Sequence, residues 1–256
     1  MSTQPAPFVW HDLMTTDVAA AKAFYAHVIG WNMQDFPGGN DYTVLSAGTV
    51  GMGGIMALPA DVTARGVPPH WQGYIGVEDV DQYAERVQAA GGTVHHAPTD
   101  IPGVGRFAVA ADPQGAVFIL FKPGSTEAMP ATSPGTPGLV GWNELHAADG
   151  LKAFDWYAAL FGWTVSQDMD MGPLGVYRLF ATGGEPVGGM MTKMPQMPVP
   201  CWIYYFNVDG LDAAVERTVQ SGGKLLHGPQ EVPGPMVIAN CQDPQGAMFS
   251  MVSARR

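Results

Sequence analysis

Charge is scarce in this 256-residue chain, and positive charge scarcer still: 14% of residues are charged, with 12 Lys and Arg against 23 Asp and Glu. The net charge of −11 repels phosphate backbones, and the few basic residues form no cluster, which argues against nucleic-acid binding. Cysteine is almost absent. Cys201 and Cys241 both fall in the second half without metal-type spacing, so they read as buried thiols of a reducing cytosol rather than a disulfide framework. No apolar run approaches the length of a membrane span. The opening MSTQPAPFVWHDL has neither a basic start nor a long apolar stretch, so no secretory signal and a cytoplasmic location are expected. The phosphate-loop pattern G-x-x-x-x-G-K-[ST], the dinucleotide glycine fingerprint and the G-x-S-x-G elbow are also missing.

What is present is repetition. VWHDLMTTD at 9–17 answers to GWNELHAAD at 141–149, FYAHVIGW at 24–31 to WYAALFGW at 156–163, and GGIM at 53–56 to GGMM at 188–191. Further on, VEDVDQYAERVQAAGG at 77–92 matches VDGLDAAVERTVQSGG at 208–223, and DPQGAVF at 112–118 matches DPQGAMF at 243–249. A register held to within a few residues over the whole unit indicates duplication. Between the copies, KPGSTEAMPATSPGTPG at 122–138 is turn formers and small polar residues, which is linker composition. The division expected is therefore 1–122, a linker at 123–138, and 139–256.

Each half divides again. Residues 8–14 alternate as a half-buried strand does, and Asp17 is placed to cap a helix that stops at Gly30. Strands follow near 42–48 and 53–58. A second strand at 72–77 leads to a helix at 79–90 ended by Gly91-Gly92, then to strands at TVHHAP, RFAVAAD and AVFILFK, with the Asp-Pro-Gln-Gly turn before the last. The fold class is α+β: four βαβββ modules, each with a sheet face that must be covered, so that two curl around a shared concavity. Whether modules pair within or across halves stays open at this point.

The pattern D-x-x-x-A-x-x-F-Y-x-x-x-x-G-W at 17–31, its copy at 149–163, the V-x-D…GG helix units and the D-P-x-G turns resemble the vicinal-oxygen-chelate superfamily, which holds glyoxalase I, bleomycin-resistance proteins and extradiol dioxygenases. The resemblance covers nearly the whole chain outside the linker and extreme ends, and implies two tandem glyoxalase/bleomycin-resistance-like domains. It implies ancestry rather than a reaction. In metal-dependent members of such a family the first ligand is a His fourteen residues before the Phe of the FY pair, and that position here holds Trp10 and Trp142. The next ligand position holds Gln72 and Ile203, and the Glu after the D-P-x-G turn is replaced by Ile119 and Ser250. Because an indole nitrogen has its lone pair in the ring, no cofactor is expected, and a divalent metal is not supported at the family positions.

Strand alternation groups the remaining candidates. If Trp10 faces the concavity, so do Asp12 and Met14; in the copy Trp142, Glu144 and His146 do. On the strands opening the second modules, Gln72 and Tyr74 share a face, as do Ile203, Tyr205 and Asn207. Trp10, Met14, Gln72, Tyr74, Trp142, Tyr205 and Asn207 are thus candidate ligand-binding residues, and Asp12, Glu144 and His146 candidate catalytic ones. An aromatic wall with one carboxylate suits an aromatic or cationic ligand. The competing reading has Asp12 and Glu144 accepting hydrogen bonds that merely shape the sheet. His96 and His227 precede matching prolines and read as turn or strand-end structure. The Met residues around 52–56 and 190–197 read as core filler.

The first functional expectation is a metal-independent small-molecule binder, in the manner of a sequestering protein, working as a monomer or homodimer. The second is an enzyme of the same superfamily, a lyase, isomerase or oxygenase, active mainly in the C-terminal half where His146 lies.

Overall fold

The computed structural model describes residues 4–37, 42–125 and 133–256. Of the linker expected at 123–138, positions 126–132 lie outside the described residues. Four modules of the same plan follow one another. The first is β1 (Phe8–Thr15), α1 (Val18–Val28), β2 (Asn32–Asp35), β3 (Thr43–Ala47) and β4 (Val50–Ala57), followed by a short helix α2 (Ala60–Ala64). The second is β5 (His70–Gly76), α3 (Val80–Ala89), β6 (Thr93–Ile101), β7 (Gly105–Ala111) and β8 (Val117–Pro123). The third is β9 (Val140–Ala147), α4 (Gly150–Phe161), β10 (Thr164–Asp170), β11 (Val176–Ala181) and β12 (Pro186–Thr192). The fourth is β13 (Cys201–Asn207), α5 (Leu211–Gln220), β14 (Lys224–Glu231), β15 (Val237–Gln242) and β16 (Met248–Ser253). The α+β class and the fourfold βαβββ plan read from the sequence are what the chain forms.

The modules build two eight-stranded sheets, ordered β2-β3-β4-β1-β5-β8-β7-β6 and β10-β11-β12-β9-β13-β16-β15-β14. In each module the first strand is parallel to the last and the other pairings are antiparallel. Thus Asp12 lies opposite Gly54 in the β1–β4 pair, and Glu144 opposite Gly189 in β9–β12. The helices begin where carboxylates stand. Asp17, Asp79 and Asp149 each accept a hydrogen bond from the backbone N–H three residues on, at 2.9, 3.0 and 3.1 Å. Helix α5 follows Gly210 without a side-chain cap. At the other end of α4, Gly162 takes the left-handed conformation, φ 74°, that closes a helix without a Cβ penalty.

Compactness divides the chain differently from the repeat. One unit holds Met1–Trp10, Gln72–Ala128 and Trp142–Trp202, so it joins the second module to the third. The other holds His11–Trp71, Met129–Gly141 and Ile203–Arg256, joining the first module to the fourth.

Inside each unit the repeat motifs meet one another. In the unit of the second and third modules, Arg86 on α3 donates to the Leu160 carbonyl at the end of α4, 2.9 Å away, and Tyr83 stacks on Phe161. Trp163 donates to the Ala6 carbonyl at 2.7 Å, fixing the segment that leads into β1. In the unit of the first and fourth modules, Arg217 on α5 donates to the Val28 carbonyl at 2.9 Å, and Trp31 donates to the Gly138 carbonyl at 2.7 Å. The helix-end carbonyls, left over by the helix itself, are satisfied by a cation where the helix dipole favours one. Each core is aromatic. Tyr157, Phe161, Phe180 and Phe118 are fully buried in one unit, and Tyr25, Phe206 and Phe249 in the other.

Both thiols are free. Burial pushes Cys241 up to about 12 and Cys201 to about 11, Glu144 adding to the second, so neither is a ready nucleophile. No helix among the described residues is long and apolar enough to cross a membrane.

Candidate functional site

In the unit of the second and third modules, β9 carries Trp142, Glu144 and His146 on one face by simple alternation, with Leu145 fully buried on the other. These three side chains are joined, and the joint is a residue the sequence reading did not single out. Tyr177, at the start of β11, accepts the Trp142 indole N–H at 2.7 Å and donates its own hydroxyl to Glu144 Oε2 at 2.7 Å. The other carboxylate oxygen, Oε1, lies 2.7 Å from His146 Nε2. The Glu144 and His146 side chains retain only 12% and 11% exposure, so the pair is shielded on most sides from competing water.

The Tyr177 ring reaches Glu144 because Gly189 has no side chain. A Cβ there would stand 2.3 Å from the ring, and one on Gly188 would stand 2.2 Å from the Asn143 carbonyl. The repeated Gly-Gly of each half is therefore a slot for a phenol crossing the strand. The signal for Tyr177 is a Gly-Gly in β12 with a Tyr near the start of its antiparallel neighbour β11, repeated by Gly53-Gly54 in β4 with Tyr42 just before β3.

In the other unit the first module repeats the arrangement in reduced form. Tyr42 donates to Asp12 Oδ1 at 2.7 Å, and a Cβ on Gly54 would stand 2.1 Å from the Tyr42 ring. Asp12 is buried, 2% exposed. Met14, at the position of His146, cannot extend the chain of hydrogen bonds. Trp10 belongs to the first unit, half-buried at the head of β1.

The remaining candidates fall as follows. Gln72 and Tyr74 are buried on β5 in the first unit, and Tyr74 meets the Phe121 ring edge-on at 5.6 Å. Tyr205 is on β13 in the second unit, opposite Ser250 in the parallel pairing with β16. Asn240, which the sequence reading passed over, donates to Ser250 Oγ at 2.7 Å and to the Tyr205 hydroxyl at 3.3 Å. Asn207 is occupied with backbone: its amide donates to the Leu139 carbonyl at 3.0 Å while its own N–H and C=O pair with Leu139 and Gly138. That holds the segment entering β9. Among the other histidines, His96 stacks on Phe107 and His227 bonds Gln230; both lie exposed within β6 and β14, flanked by register shifts, rather than in a turn or at a strand end.

One atom stands out. His146 Nδ1 is out of contact with solvent and has no hydrogen-bond partner among the described residues. A buried polar atom left so costs about 1–3 kcal/mol, and each one in a folded chain calls for an explanation.

The donors present do not fit a metal of the kind the resemblance implies. Trp142 donates its only nitrogen proton to Tyr177 and has no lone pair to offer; Ile119 is apolar and buried; Ser250 accepts from Asn240. Among the described residues no group of three His, Cys, Asp or Glu is placed to hold an ion.

Comparison with known proteins places this geometry in a lineage. The profile of the Glyoxalase/Bleomycin resistance protein/Dioxygenase superfamily matches twice, over residues 8–120 and 141–251. CFP32 of Mycobacterium tuberculosis, provisionally named a glyoxylase, is 36% identical over 247 residues, 95% of this chain and 93% of its own. The anthracycline biosynthesis protein DnrV of Streptomyces peucetius is 35% identical over 266 residues, covering 98% and 94%. Among solved structures, the Mn(II)-bound glyoxalase of Novosphingobium aromaticivorans superimposes with a TM-score of 0.69 at 16% identity, over 99% of this chain and 83% of that one. The 2,3-dioxygenase LapB of Pseudomonas sp. KL28 gives 0.67 at 12%, over 98% and 93%. At these identities the structural likeness is one of fold. With both halves matched by one profile and more than a third of residues shared with CFP32 along nearly its whole length, the chain belongs to the Glyoxalase/Bleomycin resistance protein/Dioxygenase superfamily.

Proposed function

We propose that this protein binds a small organic molecule without a metal, and by binding sequesters it. The observation that carries the reading is the indole at the first family ligand position of each half, with the C-terminal one already committed as a donor to Tyr177. A site whose first ligand cannot coordinate has to recognise its ligand by shape, aromatic contact and hydrogen bonds. Two further facts support an aromatic or cationic ligand. The protein is strongly acidic, and Glu144 and Asp12 are carboxylates held on sheet faces beside aromatic rings. DnrV, and DauV of Streptomyces sp. at 34% identity, are named for the biosynthesis of anthracyclines, which are fused aromatic ring systems.

Isothermal titration calorimetry with doxorubicin, an anthracycline bearing an amine, tests the reading. Saturable binding that is the same before and after dialysis against EDTA is expected. Absence of heat at any concentration up to the solubility of the compound, or binding that disappears with EDTA and returns with added Mn(II), overturns it.

The pairing of His146 with Glu144 supports a second reading, an enzyme of the superfamily acting on a small organic substrate. An imidazole oriented by a carboxylate on one nitrogen is the arrangement of a general base. Turnover of the methylglyoxal–glutathione adduct or of a catechol, abolished by His146→Leu, would establish that reading instead.

A further inference from the structure

The hydrogen-bond inventory of the C-terminal cluster specifies which end of a hydrogen bond the ligand must supply. An indole has one donor hydrogen, a phenol one, and a neutral imidazole one. Trp142 gives its hydrogen to Tyr177, and Tyr177 gives its own to Glu144. Glu144, already accepting from Tyr177, is a carboxylate with no proton to offer, so the hydrogen shared with His146 sits on the imidazole Nε2. All three donors are consumed inside the cluster. What remains, on a neutral imidazole, is the lone pair on Nδ1, which has no partner among the described residues. Lys193, whose charge is felt at Cys201 as is that of Glu144, is not part of the cluster's hydrogen-bond chain and gives one of its hydrogens to the Met197 carbonyl at 2.6 Å.

We infer that this cluster selects a ligand bearing a hydrogen-bond donor, an ammonium or a phenolic or alcoholic hydroxyl, and discriminates against one that offers only acceptors. The inference rests on the small-molecule reading above and narrows it. A carboxylate, phosphate or enolate oxygen brought to these four side chains meets lone pairs and negative charge, and none of their hydrogens is free to receive it. A donor meets an acceptor that is buried, oriented by Glu144 and otherwise unsatisfied. Because a site built to pair with a donor leaves its own acceptor orphaned when an analogue lacks that donor, the discrimination falls on the missing hydrogen rather than on size.

The test uses aromatic compounds of nearly equal shape with the full-length protein at pH 7. The set is 1-naphthylmethylamine, 1-naphthol, 1-methoxynaphthalene and 1-naphthoate. The neutral pair, naphthol against its methyl ether, removes any effect of the protein's net charge. The amine and naphthol are expected to bind about tenfold or more tightly than the ether and the carboxylate, the usual scale for one buried hydrogen bond to an oriented partner. That preference is expected to survive in His146→Asn, whose side-chain oxygen takes the place of Nδ1, and to collapse in His146→Leu. Equal affinity for naphthol and its methyl ether overturns the inference while leaving a small-molecule site in place. Failure of all four compounds to bind removes that site and the inference with it. If His146→Leu does not fold, the ligand series on the wild-type protein and on His146→Asn decides the question unaided.

Discussion

The hydroxyl of Tyr25, on the first helix, donates to Oδ2 of Asp243 at a distance of 3.1 Å, joining parts of the chain 218 residues apart. Tyr25 in turn accepts the Trp71 indole N–H at 3.0 Å. In the other unit Tyr157 accepts the Trp202 indole N–H at 3.1 Å and lies close enough to Asp112 to favour its charged form. So the Tyr of each F/W-Y…G-W motif faces the Asp of a D-P-Q-G turn in the module it packs with, and Tyr25 is hydrogen-bonded to it. The turn itself is organised by the same Asp: Asp243 Oδ1 accepts from Gln245 and Ala247, and Asp112 Oδ1 from Gln114 and Ala116.

Removing the hydroxyl tests this tie. Tyr25→Phe leaves the Trp71 N–H without its acceptor and Asp243 without its side-chain donor, both in a dry core. We expect a loss of about 2–3 kcal/mol, the scale of orphaned buried groups, seen as a lower urea midpoint with an unchanged m-value. Tyr157→Phe takes the acceptor from the Trp202 N–H and should lower the midpoint as well. A midpoint within error of wild type for both would mean that water replaces the phenol and that the tie contributes nothing.

The two turn carboxyls also set a pH dependence. Burial, the largest influence on each, holds Asp112 and Asp243 above the ordinary carboxylate value despite their hydrogen bonds. A carboxyl whose folded pKa is raised binds its proton more tightly when folded. Its stabilising contribution is therefore complete below the unfolded value of about 4 and is lost as pH rises through the folded value. Tyr25 is itself held well above its usual range, by burial first and then by Asp243, so it remains the donor throughout. We expect urea midpoints of the wild type to fall on going upward from pH 4, and Asp112→Asn and Asp243→Asn to flatten that slope. The surface carboxylates lowered by their partners, such as Asp81 beside Arg106, act in the opposite sense, but they are exposed and screened. A slope unchanged in both Asn variants would show that some other group titrates.

These residues also explain what the sequence disclosed and what it withheld. The motifs that carried the family resemblance were legible because each is a packing device with a fixed partner: Tyr25, Asp243, Arg217 and Trp31 recur as Tyr157, Asp112, Arg86 and Trp163. Their recurrence said that a unit existed, but not which module each partner came from, since nothing in a local pattern encodes the direction of a contact 218 residues away. Alternation along β9 placed Trp142, Glu144 and His146 on one face correctly. It could not supply Tyr177, which comes from another strand and enters only through the space above Gly189. Nor does alternation disclose that the Asn207 amide donates to the backbone of the segment entering β9.

The glycine slot has its own test. Gly189→Ala places a Cβ where the Tyr177 ring now lies, so either the ring leaves Glu144 or β12 shifts away from β9. We expect a loss of about 1–3 kcal/mol, typical of an overpacked core, and at least tenfold weaker ligand binding. Gly184→Ala is the control, since a Cβ there meets nothing within 4 Å. Wild-type affinity in Gly189→Ala, with its stability lowered, would separate the phenol from recognition and leave it a purely structural role.

The two halves should contribute unequally to binding. Glu144 is approached by Tyr177 on one oxygen and His146 on the other, and Trp142 feeds the same chain. Asp12 has Tyr42 as the equivalent of Tyr177, but Met14 stands where a histidine would. An isosteric amide at position 144 puts a donor hydrogen against either the phenol or the imidazole and breaks the ordering of donors described above. The same change at position 12 disturbs a single bond. We therefore expect Glu144→Gln to weaken doxorubicin binding by about tenfold or more, the scale of a lost hydrogen bond to a charged group, and Asp12→Asn to change it by less than about threefold. Calorimetric affinities, with circular dichroism to establish that both variants fold, measure the difference. Equal losses would mean that both halves bind, and the stoichiometry from the same titrations would then read two ligands per chain rather than one.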